Sequence, residues 1–166
     1  MFTLTIIAKI AIAIYLLVIA YIDYKTMTID DKMVLIGVIT ITPIYLITNN
    51  FDWRYSLFGA ILALICTGTT YLTAKLLLKK PGFGLGDVTL SILIGIIVGW
   101  KCFILVFFLA HFIHMAFYLI IILIKRKKFK ATDTLPFAPA FVTATIINLT
   151  MTQGIYPVFE RIILSK

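Results

Sequence analysis

Six apolar runs, at residues 4–22, 33–48, 55–78, 88–100, 102–124 and 135–150, take up most of this chain. A helix needs about 20 such residues to cross the hydrocarbon core of a bilayer. The alternative, a soluble fold, would have to bury these runs inside a body of 166 residues. Small folds hide only a modest share of their surface. Hydrophobic residues make up 62% of the chain and charged residues 13%, against roughly 45–50% and 25% in ordinary soluble domains. Lipid is therefore the solvent for much of the chain. The sequence predicts an all-α membrane protein, with residues 1–166 forming a single polytopic bundle of about six transmembrane helices. The first run has no basic n-region and no clear small-x-small cleavage site, so it reads as a retained helix rather than a signal peptide. Only Lys101 separates the fourth and fifth runs, which together are too long for one crossing, so a tight turn is expected at Gly99-Trp100-Lys101.

The net charge of +8 raises the question of a nucleic-acid partner, because basic patches attract phosphate. The placement of the charges answers it. Lysines and arginines fall in short clusters between apolar runs. Lys25, Lys32, Lys75, Lys79, Lys80, Lys125, Arg126, Lys127, Lys128 and Lys130 lie at one set of run ends, against Arg54, Lys101, Arg161 and Lys166 at the other. The positive-inside rule makes the richer side cytoplasmic, places both termini outside and points to the plasma membrane. Lys125 to Lys130 is then a topology determinant facing anionic lipid, and no nucleic acid is expected as a partner. Cys66 and Cys102 lie in apolar stretches without metal-ligand spacing and read as small core residues.

The acids carry the functional signal. Asp23 ends the first run and Asp87 opens the fourth; the predicted topology puts both at the cytoplasmic boundary. Ionisable groups at the edge of hydrocarbon are costly and usually have a purpose. Two carboxylates close together in a partly dry cleft hold a single proton between them near neutral pH. That suits peptide hydrolysis, with one aspartate as base toward water and the other polarising the carbonyl. The stretch Pro81-Gly82-Phe83-Gly84-Leu85-Gly86-Asp87 has glycines at alternate positions, so a substrate strand could approach its backbone closely. It lacks the Gly-Lys-Ser/Thr ending of a P-loop, and no strand precedes it as a dinucleotide fingerprint requires.

Gly84-Leu85-Gly86-Asp87 resembles the G-x-G-D signature of membrane aspartic peptidases. With the rest of the chain, it resembles the type IV prepilin peptidase family. Asp23 and the short polar loop containing Ile29 are similar to the family's first catalytic aspartate and the segment after it. Asp87-Val88-Thr89-Leu90 is similar to the stretch following the second, and Leu135-Pro136-Phe137-Ala138-Pro139 to the Pro-Phe-x-Pro segment opening the last helix. The chain departs from the family at Asp30-Asp31, where proline and asparagine are usual, and at Thr89, where many members carry lysine. The resemblance implies a prepilin or pseudopilin substrate with a short basic leader, catalysis by Asp23 and Asp87, and no cofactor. It also implies a substrate groove lined by Pro136 and Pro139, opposite the backbone that Gly84 and Gly86 leave open, while the departure at Asp30-Asp31 makes those two acids candidate substrate contacts. Longer relatives have an N-terminal region with paired cysteines linked to N-methylation. Nothing here corresponds to it, so a peptidase without methyltransferase activity is expected.

Plainer readings stand beside these. Asp23 and Asp87 also suit interface anchors paired with Lys25 or Lys79, and Asp30 and Asp31 suit a solvated loop or a cap on the second helix. Asp133 reads as a loop or capping residue. His111 and His114 share a helix face, but no third ligand lies at matching depth; they read as polar packing residues and no metal is expected. Gly95 and Gly99 form a small-x-x-x-small pair suited to close helix packing. Pro43 falls inside the second helix, and Pro136 and Pro139 suit the first turn of the sixth. Competing functions are a small ion-coupled transporter using the two aspartates, or an inactive relative serving as a scaffold. The oligomeric state is left open.

Overall fold

Apolar runs of this length fold as helices because helix hydrogen bonds satisfy every backbone group within the segment. The computed structural model describes residues 2–48, 53–78, 84–125 and 135–151, and among them there is no strand. The elements are α1 (Phe2–Thr26), α2 (Asp31–Thr48), α3 (Trp53–Leu78), α4 (Leu85–Lys125) and α5 (Ala138–Met151). Three stretches are long and apolar enough to cross a membrane: Leu4–Thr26, Trp53–Leu76 and Leu85–Ile124. Large apolar side chains such as Ile7, Ile14, Leu64, Phe108 and Leu123 face outward. That would be an aggregation surface in water and is ordinary in lipid.

The helix bounds differ from the apolar runs wherever a polar residue completes a turn. α1 continues past Asp23 to Thr26, which places the aspartate in its last turn rather than beyond its end. α2 begins at Asp31 and contains Pro43. α5 begins at Ala138, so Pro139 lies in its first turn while Pro136 precedes it.

The 41 residues of α4 would make a straight helix of about 60 Å, twice the thickness of a bilayer core. The run is broken at Gly99, whose φ of 72° and ψ of 167° leave the helical region. That positive φ costs glycine little and other residues more. The contacts show a reversal there. Thr67 meets Ser91 at 2.7 Å, and Tyr55 stacks on Trp100 with ring centroids 6.1 Å apart, so the first leg runs antiparallel to α3. Phe103 meets Phe141, and His114 meets Phe137, so the second leg runs antiparallel to α5. The expected turn is present, and one residue makes it. Trp100 and Lys101 are helical.

α4 lies at the centre, packed against α2, α3 and α5, while α1 packs against α2 and α5. The core is lined by Ile12, Leu16, Ile19, Leu93, Ile97, Phe103 and Phe141. The α3–α4 crossing brings backbones into contact: a Cβ at Gly59 or Gly95 would run into the other glycine's carbonyl group, and one at Gly95 would sit 2.9 Å from the Ala63 Cβ. Aromatic and basic residues gather at both ends of the bundle. Lys101 lies over the rings of Tyr55 and Trp100, and Arg54 over Trp53; at the other end Lys25 lies over Tyr21 and Lys75 over Tyr71. Tyr55 and Tyr71 are 16 residues apart on α3, about 24 Å along the axis, the scale expected between interfacial belts.

The glycine crossing gives a direct test. Gly95→Ala should cost on the order of 1–3 kcal/mol by overpacking against backbone. At Gly68 an added Cβ meets only Leu64 Cδ1, at 4.0 Å, so Gly68→Ala should be neutral or slightly stabilising. Heating the detergent-solubilised variants and following the monodisperse fraction separates the two; equal losses would rule out close backbone packing at Gly95.

Candidate active site

A carboxylate within a lipid-facing bundle needs hydrogen-bond donors, and both aspartates have theirs at helix N termini. Asp23, only 5% exposed, accepts a hydrogen bond from the Ala138 N–H at 3.2 Å. Ala138 is the first residue of α5, so its N–H has no partner within the helix, and a negative charge suits that end of the helix dipole. The other end of α5 is held from the same element. Lys9, also on α1, donates to the Leu149 carbonyl at 3.3 Å.

Asp87 sits in the first turn of α4. Its Oδ2 accepts from the Gly84 N–H at 3.0 Å, and its own N–H donates to the Gly84 carbonyl at 3.2 Å. This is one half of a capping box, an acid three residues in reaching back to the capping residue, with a backbone turn in place of the other half. The structure brings the two aspartates to the same end of the bundle, because the loop that follows Asp23 lies against the turn that carries Asp87.

α1 and α4 share no extended contact among the described residues. The loop after α1 closes the gap. Met27 takes a φ of 55° and its N–H donates to the Asp23 carbonyl at 2.8 Å, ending α1 in a left-handed cap. Ile29 then lies against Gly86, where a Cβ would stand 2.7 Å from the Ile29 Cβ and 3.1 Å from its carbonyl oxygen. Asp30 caps α2: its Oδ1 accepts from the Lys32 N–H at 2.9 Å, and its carbonyl accepts from Met33 at 3.0 Å. Asp31 faces α4. Its Oδ1 lies 2.9 Å from Thr89 Oγ1, which is also 3.0 Å from the Gly86 carbonyl, so the hydroxyl hydrogen is shared between them. Tyr15 on α1 donates to the Met33 carbonyl, holding the start of α2 from behind.

The remaining candidates divide. Gly84 and Gly86 flank Asp87, and Pro139 follows the Ala138 that binds Asp23. Pro136 lies two residues before that N–H. His111 and His114 pack on Phe137 with ring centroids 5.0 and 5.3 Å away, and His111 Nδ1 is 2.8 Å from the Phe107 carbonyl. Among the described residues no group of three or more His, Cys, Asp or Glu could hold a metal ion. Lys25 lies over Tyr21. Lys79, Asp133 and the basic cluster from Arg126 onward fall outside the described residues. Sequence reasoning missed three features: the Ala138 N–H, the Lys9–Leu149 bond and the Asp31–Thr89 bond. Each joins positions remote in the chain, and no local pattern announces it.

Residues 10–120 match the family model described as the type IV leader peptidase family, a stretch that holds Asp23, Asp30, Asp31, Gly84, Gly86 and Asp87. No curated protein and no solved structure matches the chain.

The cap on α5 can be separated from any chemistry. Asp23→Asn keeps an acceptor for the Ala138 N–H, whereas Asp23→Ala strands it in a buried position. Asp23→Ala should therefore be less stable than Asp23→Asn by about 1–2 kcal/mol. Thermal unfolding in detergent reads the difference, and coincident curves would mean that this bond does not hold α5.

Proposed function

The chain belongs to the type IV leader peptidase family, and on that premise we propose that it is a membrane aspartic endopeptidase in which Asp23 and Asp87 activate a water molecule to cut the short basic leader from a prepilin or pseudopilin. The observation that carries this reading is the placement of two carboxylates, 64 residues apart in sequence, at one end of an apolar bundle, where the loop after Asp23 packs on the turn that holds Asp87. Each has its own N–H donor, Gly84 for Asp87 and Ala138 for Asp23.

In the proposed reaction one aspartate is ionised and takes a proton from water as the oxygen attacks the scissile carbonyl. The other is protonated, polarises that carbonyl and stabilises the developing oxyanion; collapse of the tetrahedral intermediate passes a proton to the leaving amine. Two carboxylates and one water suffice for this sequence. The substrate's apolar helix would lie in the bilayer beside the enzyme, with its scissile bond at the boundary. Gly84 would leave room for an extended strand, whereas the bare face of Gly86, also expected to admit substrate, is filled by Ile29; Pro136 and Pro139 would line the opposite wall. The six apolar runs support six crossings, and the excess of lysine and arginine in the segments after the first, third and fifth runs supports a cytoplasmic active site and both termini outside, in the plasma membrane.

Leader cleavage of a co-expressed prepilin-like protein tests the chemistry. Asp23→Asn and Asp87→Asn should each lower cleavage by a factor on the order of 10³ or more while still inserting in the membrane. Mass spectrometry of the product should show an unmethylated new N terminus. Activity retained in either variant would break the proposed pair. Orientation has its own test: in a background lacking Cys66 and Cys102, a cysteine replacing Trp53 should react with an impermeant thiol reagent from outside intact cells, and one replacing Thr28 should not. The opposite labelling would move the site to the other face.

A further inference from the structure

Among the described residues α1 and α4 share no extended backbone contact, so the approach of Asp23 to Asp87 depends on the segments packed against both. Two points of attachment join the loop after α1 to the first turns of α4. One is steric, Ile29 against the bare backbone of Gly86. The other is polar, the Thr89 hydroxyl held between Asp31 Oδ1 at 2.9 Å and the Gly86 carbonyl at 3.0 Å. Gly86 takes part in both, and it immediately precedes Asp87. Met27 stands four positions after Asp23 and Asp31 four positions after that, so the loop is too short to move without moving α1's last turn.

We propose that Asp31 and Thr89 form a latch that pins the first turn of α4 to the loop after α1 and so sets the distance between Asp23 and Asp87; both are positioning residues, and Asp31 does not contact the substrate's basic leader. This rests on the aspartic-dyad reading of the site. The latch needs an acceptor at residue 31 and a hydroxyl at residue 89. It does not need a negative charge. A leader-binding role for Asp31 makes the reverse demand, since attraction to lysine and arginine depends on the charge and is indifferent to Thr89.

The variants Thr89→Ala, Thr89→Ser, Asp31→Asn, Asp31→Ala and the Thr89→Ala/Asp31→Ala pair separate the two roles when kcat and KM are measured for leader cleavage. Loss of one hydrogen bond that orders the dyad should lower kcat about three- to tenfold in Thr89→Ala and Asp31→Ala, with KM changed less than about twofold. Thr89→Ser should restore most of the loss. Asp31→Asn should fall between the parent and Asp31→Ala, and the double variant should be no slower than either single alanine variant. A rise in KM shared by Asp31→Asn and Asp31→Ala, with Thr89→Ala at the parental rate, overturns the latch in favour of leader binding.

Hydrogen exchange over residues 24–34 in detergent or nanodiscs gives a readout that needs no cleavage. Exchange should quicken in Thr89→Ala and return toward the parent in Thr89→Ser; unchanged exchange in Thr89→Ala overturns the latch by itself. If the parent cuts no leader but the exchange pattern is as expected, the latch stands and the dyad reading fails.

Discussion

The hydrogen bond from the Ala138 N–H to the Asp23 carboxylate ties the site to the fold. A carboxylate in a bundle whose outer surface faces hydrocarbon is tolerable only where donors and favourable dipoles replace water. The first N–H of α5 supplies both. The same bond gives α5, at 14 residues the shortest helix, a fixed N terminus, while Lys9 on α1 binds a carbonyl in its last turn. A negative group at the N-terminal end and a positive one at the C-terminal end complement the helix dipole along its length. α1 thus holds α5 at both ends, and the residue proposed to do chemistry is one of the two fasteners.

Asp87 is held differently. Its partner is local, the Gly84 N–H three residues earlier, so the carboxylate's position follows the first turn of α4 wherever that turn goes. The turn in turn follows the loop after α1, through Gly86 and Thr89. One aspartate is fixed by a long-range bond to another helix and the other by a local cap on a helix that is itself docked.

Two further polar side chains, on α3 and α4, meet the same constraint of a dry surround. Thr67 and Ser91, both fully buried, bond each other across the α3–α4 crossing, and each also donates to or shares a carbonyl in its own helix. With Gly59 and Gly95 next to them along the crossing, they let two helices approach closely where lipid supplies no hydrophobic drive to push them together. That close crossing sets the first leg of α4 against α3, and the reversal at Gly99 then carries the chain back toward Phe137 and the site.

Helix positions, the reversal near Gly99 and the two aspartates were legible in the sequence, because lipid solvation writes helices as unbroken apolar runs and makes a boundary acid conspicuous. Ends were legible only to within a few residues: Asp23 and Asp87 proved to lie inside their helices, since polar side chains at the last turn complete it without showing in hydropathy. What Asp23 binds, how Lys9 reaches Leu149 and why Asp31 faces Thr89 were decided by tertiary structure alone. Each is a contact between segments from 58 to 140 residues apart in sequence, and hydropathy records only how a residue relates to solvent. Thus the amino-acid order determined which segments are apolar helices and which acids stand at their ends. Packing determined which of those ends come together, because the distance between two side chains on different helices depends on the crossing and loop contacts that position the helices.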